Sequence, residues 1–202
     1  MLVGHSTGGG EVARYCGRHG TKRVAKAILI SAISPLMLQT DANPDGLPKS
    51  VFDGFRAGMN EDRAQFFIDV PTGPFFGCNR PGAEVSQGMI WSWWQQGMIA
   101  SFKGAYDCIT VFSETDSTED LKGMEIPVLL LHGDDDQIVP IDTSARAGIK
   151  LLPNGRLKEY PGGAHALPNL NAQEINKDLL DFLKGGKVME WCSRWTLISL
   201  DR

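Results

Sequence analysis

An α/β architecture, with a parallel sheet and crossover helices, is predicted by three observations. Short apolar runs such as Arg23–Ser31 and Ile126–Gly133 alternate with segments of helical periodicity. A G-x-S-x-G pentapeptide, Gly4-His5-Ser6-Thr7-Gly8, stands between an apolar stretch and an amphipathic one, where a strand turns sharply into a helix. The residues with reactive side chains fall in loops after the apolar runs, the place where open parallel sheets gather their functional groups.

Met1-Leu2-Val3 reads as the end of a buried strand, and Gly4 and Gly8 lack the Cβ atoms that would clash where strand and helix meet. Glu11–His19 follows as a helix, with Val12, Tyr15 and Cys16 near one face and Arg14 and Arg18 on the other. A phosphate-binding loop would need Lys and then Ser or Thr after its last glycine, where Glu11 stands, and the stretch does not begin the G-x-G-x-x-G of a dinucleotide site. Arg23–Ser31 is the next strand.

From Pro35 to about Lys103, prolines and glycines punctuate short amphipathic pieces, and aromatic residues gather at Phe66-Phe67, Phe75-Phe76 and Trp91-Ser92-Trp93-Trp94. Helices are expected at Lys49–Asn60, Glu61–Asp69 and Glu84–Ala100, forming a helical cap inserted over one end of the sheet at about 35–105. Tyr106–Ser113 reads as a further helix and Asp116–Lys122 as an exposed acidic connection. Ile126–Gly133 has the length and branching of an interior strand, with Pro127 at its start, where a missing N–H does least harm. Thr143–Leu152 is expected as a crossover helix and Gly155–Tyr160 as a strand. Asn171-Ala172-Gln173-Glu174 resembles a capping box ahead of Ile175, Leu179, Phe182 and Leu183 at helical spacing.

The 202 residues suffice for one domain with a full core, and 42% apolar and 22% charged residues describe an ordinary globular composition. A net charge of −4 leaves no basic footprint for nucleic acid or an anionic membrane. No run is apolar enough to span a bilayer or to serve as a signal peptide, so cytoplasm is the expected compartment. The four cysteines, Cys16, Cys78, Cys108 and Cys192, form no C-x-x-C pair and read as free thiols.

Three loops then matter. They supply Ser6, Gly133-Asp134-Asp135-Asp136-Gln137-Ile138-Val139-Pro140, and Gly162-Gly163-Ala164-His165, a nucleophile, an acid and a base in the order Ser, Asp, His. His5, His19 and His132 read as packing residues, and no H-x-x-x-H spacing points to a metal.

Leu2–Gly9, His132–Pro140 and Gly163-Ala164-His165 resemble the α/β-hydrolase group that contains cofactor-free haloperoxidases and small aryl esterases, and the resemblance runs from Met1 to about Gly185. It implies an α/β-hydrolase domain over 1–185 and leaves 186–202, with Trp191, Cys192 and Trp195, as a tail of unknown structure. By that resemblance the acid is Asp136, directly before the Q-x-V-P element. Asp134 and Asp135 are turn and helix-start residues, and Asp142 caps the next helix. The implied activity is hydrolysis of small aryl or short-chain esters through an acyl-enzyme, without cofactor or metal. Hydrogen peroxide can replace water and release a peracid that oxidises halide. The triad is Ser6, Asp136 and His165, Thr7 supplies one oxyanion N–H, and Phe75, Phe76, Trp91, Trp93 and Trp94 are candidates for the substrate pocket.

Whole domains of this group carry strands before the elbow, so the resemblance also implies a fragment lacking its N-terminal strands and its second oxyanion donor. A central strand left at an edge invites self-association. Two rivals stand beside the esterase reading: an inactive chain, unfolded or acting as an interaction module, and a metal-dependent hydrolase.

Overall fold

The structure, a computed structural model, describes residues 1–185; the tail at 186–202 lies outside them. Among the described residues, four parallel strands form one sheet in the order β1 (Leu2–His5), β2 (Ala27–Ile30), β3 (Val128–Gly133) and β4 (Gly155–Tyr160). The register pairs Gly4 with Leu29, Leu29 with Leu130, and Leu130 with Leu157. Strands buried on both faces favour apolar residues at almost every position, and β2 and β3 are buried throughout, with His132 the polar exception in β3.

Alternation along these strands divides the core. Ala27, Leu29, Val128 and Leu130 face Val12, Ala13 and Cys16 of α1 (Thr7–His19). Ile28, Ile30, Leu129 and Leu131 pack on the opposite side with Tyr160, Leu167, Ile175 and Phe182. The long connection between β2 and β3 holds α2 (Lys49–Glu61), α3 (Arg63–Val70), a wide-turned segment at Pro71–Phe75, α4 (Gln87–Ile99), α5 (Phe102–Glu114) and α6 (Thr118–Lys122). A separate cluster of Ile33, Met37, Phe52, Met59, Ile109 and Val139 knits this layer together. Past β3 come α7 (Ala145–Gly148), then β4, α8 (Leu167–Leu170) and α9 (Ala172–Leu183).

Several local expectations are corrected. Asp116–Lys122 is not an exposed connection: it contains α6, where Asp120 and Leu121 are buried and Arg14 of α1 lies 2.9 Å from the Asp120 carboxylate. The expected crossover helix over Thr143–Leu152 contracts to the single turn of α7. Asp142 does not cap it, because its carboxylate is taken by Arg146 at 2.9 Å. Asn171 precedes α9 but makes no side-chain capping bond. The first helix begins at Thr7, four residues earlier than its periodicity indicates, since glycines carry no hydrophobic pattern.

Candidate active site

The turn between β1 and α1 forces Ser6 into a conformation that L-residues avoid, φ 55° and ψ −122°. Strand and helix meet so closely that a Cβ on Gly4 would lie 2.1 Å from the Gly8 carbonyl oxygen. Backbone bonds hold the strained residue: the Ser6 N–H donates to the Ile30 carbonyl at 2.9 Å, and the Ser6 carbonyl accepts from Gly9 N–H at 2.9 Å. The hydroxyl therefore projects from the carboxyl end of the sheet. Thr7 opens α1, so its N–H is among the first-turn amides with no intrahelical acceptor, at the positive end of the helix dipole.

The loops after β3 and β4 deliver the other two groups, and glycines again permit the approach. A Cβ on Gly133 would sit 2.1 Å from the Gly163 carbonyl oxygen, and the Asp134 carboxylate accepts from Gly162 N–H at 2.6 Å across the same gap. So pinned, the loops place His165 Nδ1 2.8 Å from Asp136 Oδ2 and His165 Nε2 2.9 Å from Ser6 Oγ. A carboxylate only accepts, so Nδ1 carries the proton and Nε2 presents its lone pair to the serine hydroxyl. The structure thus brings together Ser6, His165 and Asp136 from three loops.

Asp136 is buried, and burial alone would raise its pKa; hydrogen bonds from His132 and His165 outweigh that and hold it well below the usual carboxylate range. Its other oxygen accepts from the N–H groups of Ile138 at 3.0 Å and Val139 at 2.8 Å. Asp135, its neighbour, pairs with Arg80, and Asn79 Nδ2 donates to Gln137 Oε1 at 2.9 Å. The Pro71–Phe75 segment also touches the loop of His165, where Ala166 N–H donates to the Phe75 carbonyl at 3.1 Å.

Two histidines read from the sequence as packing residues lie against this group. His132, on β3, donates from Nε2 to the Val139 carbonyl at 2.9 Å and stands 3.4 Å from Asp136 Oδ2. His5, next to Ser6, has its Nε2 2.9 Å from the His165 carbonyl oxygen. A polar side chain inside an otherwise apolar strand was the one signal the sequence offered for His132.

A cavity of about 480 Å³ opens beside His165, lined by His5, Phe75, Phe76, Met89, Ser92, Trp93, Gln96 and Asn169. Phe75 meets the His165 ring edge-on at 5.1 Å and the Trp93 ring at the same separation. Met89, Ser92, Trp93 and Gln96 recur at the spacing of one helical face. Trp91 and Trp94 lie off that face: Trp91 is half exposed with its ring against Trp94, and Trp94 Nε1 donates to the Ala64 carbonyl of α3 at 3.0 Å. Among the described residues, no three His, Cys, Asp or Glu side chains are grouped to hold a metal ion, and no helix is long and apolar enough to cross a membrane.

Comparison with known proteins identifies the fold family. Residues 1–170 match the family model described as alpha/beta hydrolase fold. A non-heme chloroperoxidase from Burkholderia pyrrocinia is 60% identical over 184 residues, covering 90% of this chain and 66% of the relative. A bifunctional esterase/perhydrolase from Acinetobacter calcoaceticus is 54% identical over 182 residues, with coverage of 90% and 66%. The crystal structure of bromoperoxidase from Bacillus anthracis superposes with a TM-score of 0.86 at 38% identity, covering 91% of this chain and 66% of that one. The chain therefore spans 66% of the length of these two relatives. A family match across most of the sequence, on a sheet that sets a serine at so strained a turn, leads to one conclusion: the chain belongs to the alpha/beta hydrolase fold family.

Proposed function

We propose that this chain carries the reacting groups of a carboxylic ester hydrolase for small aryl or short-chain esters, with hydrogen peroxide able to take the place of water. The observation that carries the reading is the unbroken line of hydrogen bonds from Ser6 Oγ through both nitrogens of His165 to Asp136. A serine hydroxyl is a weak nucleophile until a base removes its proton. His165 Nε2 takes that proton as Ser6 Oγ attacks the ester carbonyl, and Asp136 stabilises the imidazolium and fixes its tautomer. The Thr7 N–H donates to the developing oxyanion.

Collapse of the tetrahedral adduct breaks the C–O bond to the alcohol, which leaves with the proton from His165, and Ser6 remains acylated. Water then adds with His165 as base, releasing the acid. If hydrogen peroxide adds instead, the product is a peracid and the serine is regenerated in the same way. The peracid, a halide ion and a proton give the carboxylic acid and a hypohalous acid, so halide oxidation needs no group beyond those of the esterase. The names of the two curated relatives, a chloroperoxidase and an esterase/perhydrolase, favour this second use of one site. Phe75, Phe76 and Trp93 form the apolar wall for the substrate, and the free thiols of Cys16, Cys78 and Cys108 suit a reducing cytoplasm.

Intact-mass spectrometry after treatment with a fluorophosphonate tests the reading, with Ser6→Ala as control. One adduct per chain, absent in the control, is the expected result, followed by turnover of p-nitrophenyl acetate and, with peroxide, oxidation of bromide. A chain that unfolds cooperatively yet takes up no adduct would overturn the proposal for this polypeptide.

A further inference from the structure

We propose that His5 is a positioning residue for the base: its imidazole holds the backbone carbonyl of His165 and so ties the base to the strand that carries the nucleophile. This inference rests on the triad reading for its catalytic consequence, but the tie itself is a feature of the fold.

The argument begins with His165. Both of its ring nitrogens are engaged, Nδ1 with Asp136 at 2.8 Å and Nε2 with Ser6 at 2.9 Å, and its carbonyl oxygen lies 2.9 Å from His5 Nε2. Two of these three anchors, Ser6 and His5, are consecutive residues at the end of β1. A carbonyl oxygen only accepts, so His5 must carry its proton on Nε2, which leaves Nδ1 as the bare nitrogen. Burial, then the neighbouring His165, lowers the His5 pKa, with the His165 carbonyl and Asp136 opposing and His132 adding to the lowering. A neutral His5 suits the proposed reaction. Its ring centroid is 4.9 Å from that of His165, where a second positive charge would oppose the imidazolium formed during acylation.

The placement also explains how a loop far along the chain keeps register with the nucleophile. The His165 backbone sits between Gly163, whose N–H donates to Tyr160, and Ala166, whose N–H donates to Phe75. Neither bond reaches β1. Among the contacts described, the link from the base to the nucleophile's strand outside the reacting atoms is the His5 bond. Phe75 seats the two rings together, edge-on to His165 at 5.1 Å and to His5 at 6.4 Å. A reacting pair held only by its own hydrogen bond would loosen as the proton moves, and misplacement of about 1 Å can cost around a hundredfold in rate.

Two measurements test the proposal. Nitrogen-15 and proton NMR of histidine-labelled wild-type protein should show His5 neutral with its proton on Nε2, and a low-field Nδ1 proton for His165. A proton on His5 Nδ1 alone would overturn the proposal without any variant and whatever the activity. His5→Phe keeps an aromatic ring but removes the donor. It should broaden the His165 Nδ1 signal and slow fluorophosphonate labelling by roughly tenfold or more, with little change in the concentration for half-saturation. His5→Gln restores an N–H at similar reach and should recover most of that loss; His5→Asn, too short to reach, serves as the donor-less variant if His5→Phe does not fold. A labelling rate in the donor-less variant equal to wild type, or a loss shared equally by His5→Gln, would overturn the inference. If wild type takes no label, the proposed function fails while the NMR comparison still decides the positioning role.

Discussion

The loop of Asp136 and the wall of Phe75 and Trp93 flank the same imidazole, yet different forces hold them. Asp136 accepts bonds from two backbone amides and from His165, with His132 at 3.4 Å, so each oxygen has an assigned direction. Phe75 meets His165, Trp93 and Phe76 through ring edges and faces, each at 5.1 Å between centroids, and Trp93 rests on Phe67 at 5.9 Å. Hydrogen bonds weaken steeply with angle, whereas aromatic packing tolerates a shifted centroid. The difference teaches where to expect an all-or-none response and where a graded one. In the proposed reaction the acid side governs activation of the serine, and the aromatic side governs what enters.

The sharpest break should come at Asp136. In Asp136→Asn, the amide oxygen can still accept from Ile138 and Val139, which turns the NH₂ group toward His165 Nδ1. That nitrogen would then have to accept, the ring proton would move to Nε2, and Ser6 would face a donor instead of a base. Labelling of Ser6 should fall about 10⁴-fold with the fold intact. A fall of less than tenfold would show that the directional side of the site is not what activates the serine.

The same residue makes a pH prediction. Because the folded-state pKa of Asp136 is held below its ordinary value, its contribution to stability is present above the unfolded carboxylate pKa of about 4 and is lost as pH falls through the folded value. Acid unfolding of wild type followed by circular dichroism should therefore steepen below about pH 4, and in Asp136→Asn that part of the slope should flatten. An unchanged slope would mean that other carboxylates dominate the acid limb.

His132→Leu ranks next. It leaves the Val139 carbonyl without its donor in a buried site, a loss of about 1–3 kcal/mol in stability, and removes a neighbour of Asp136 while keeping its ligands from the backbone. Labelling should slow roughly 10- to 100-fold. A drop in melting temperature with an unchanged labelling rate would assign His132 to the fold alone.

These ranks also show how much of the molecule was legible from its sequence. Gly4, the aspartate before Gln137, and His165 could be read because each belongs to a short motif whose geometry is local: a strained turn, a carboxylate bonded to amides two and three residues on, a glycine-lined approach; Gly8 could not, since a Cβ there would meet nothing within 4 Å and it is the Gly8 backbone carbonyl that Gly4 must approach. β4 was legible for the same reason and spans Gly155–Tyr160 as its pattern indicates. What escaped was set by distant partners. Asp120 looks like a solvated charge until Arg14 of α1 is found beside it, and His5 looks like filler until a carbonyl 160 residues away arrives at its Nε2. Composition showed an aromatic cluster at 91–94, but not which rings face the cavity, because that depends on the rotation of α4 against α3.

That rotation supplies the smallest prediction and the one that most sharpens the contrast. Trp93 lines the cavity, whereas Trp91, two residues away, is 50% exposed and touches Trp94 instead. Trp93→Ala removes apolar surface from one wall without touching an atom of the triad. The loss should therefore be of ground-state and transition-state binding alike: KM for aryl esters rising up to about tenfold, with kcat held within about twofold. Trp91→Ala should leave both constants in place and lower stability by about 0.5–1.5 kcal/mol, the worth of its edge-on contact with Trp94. Steady-state kinetics on a matched series of acetyl and aryl esters would read both. If the two variants raised KM equally, the cavity would extend around α4 beyond the face that Met89, Ser92, Trp93 and Gln96 define, and selectivity would belong to the helix as a whole.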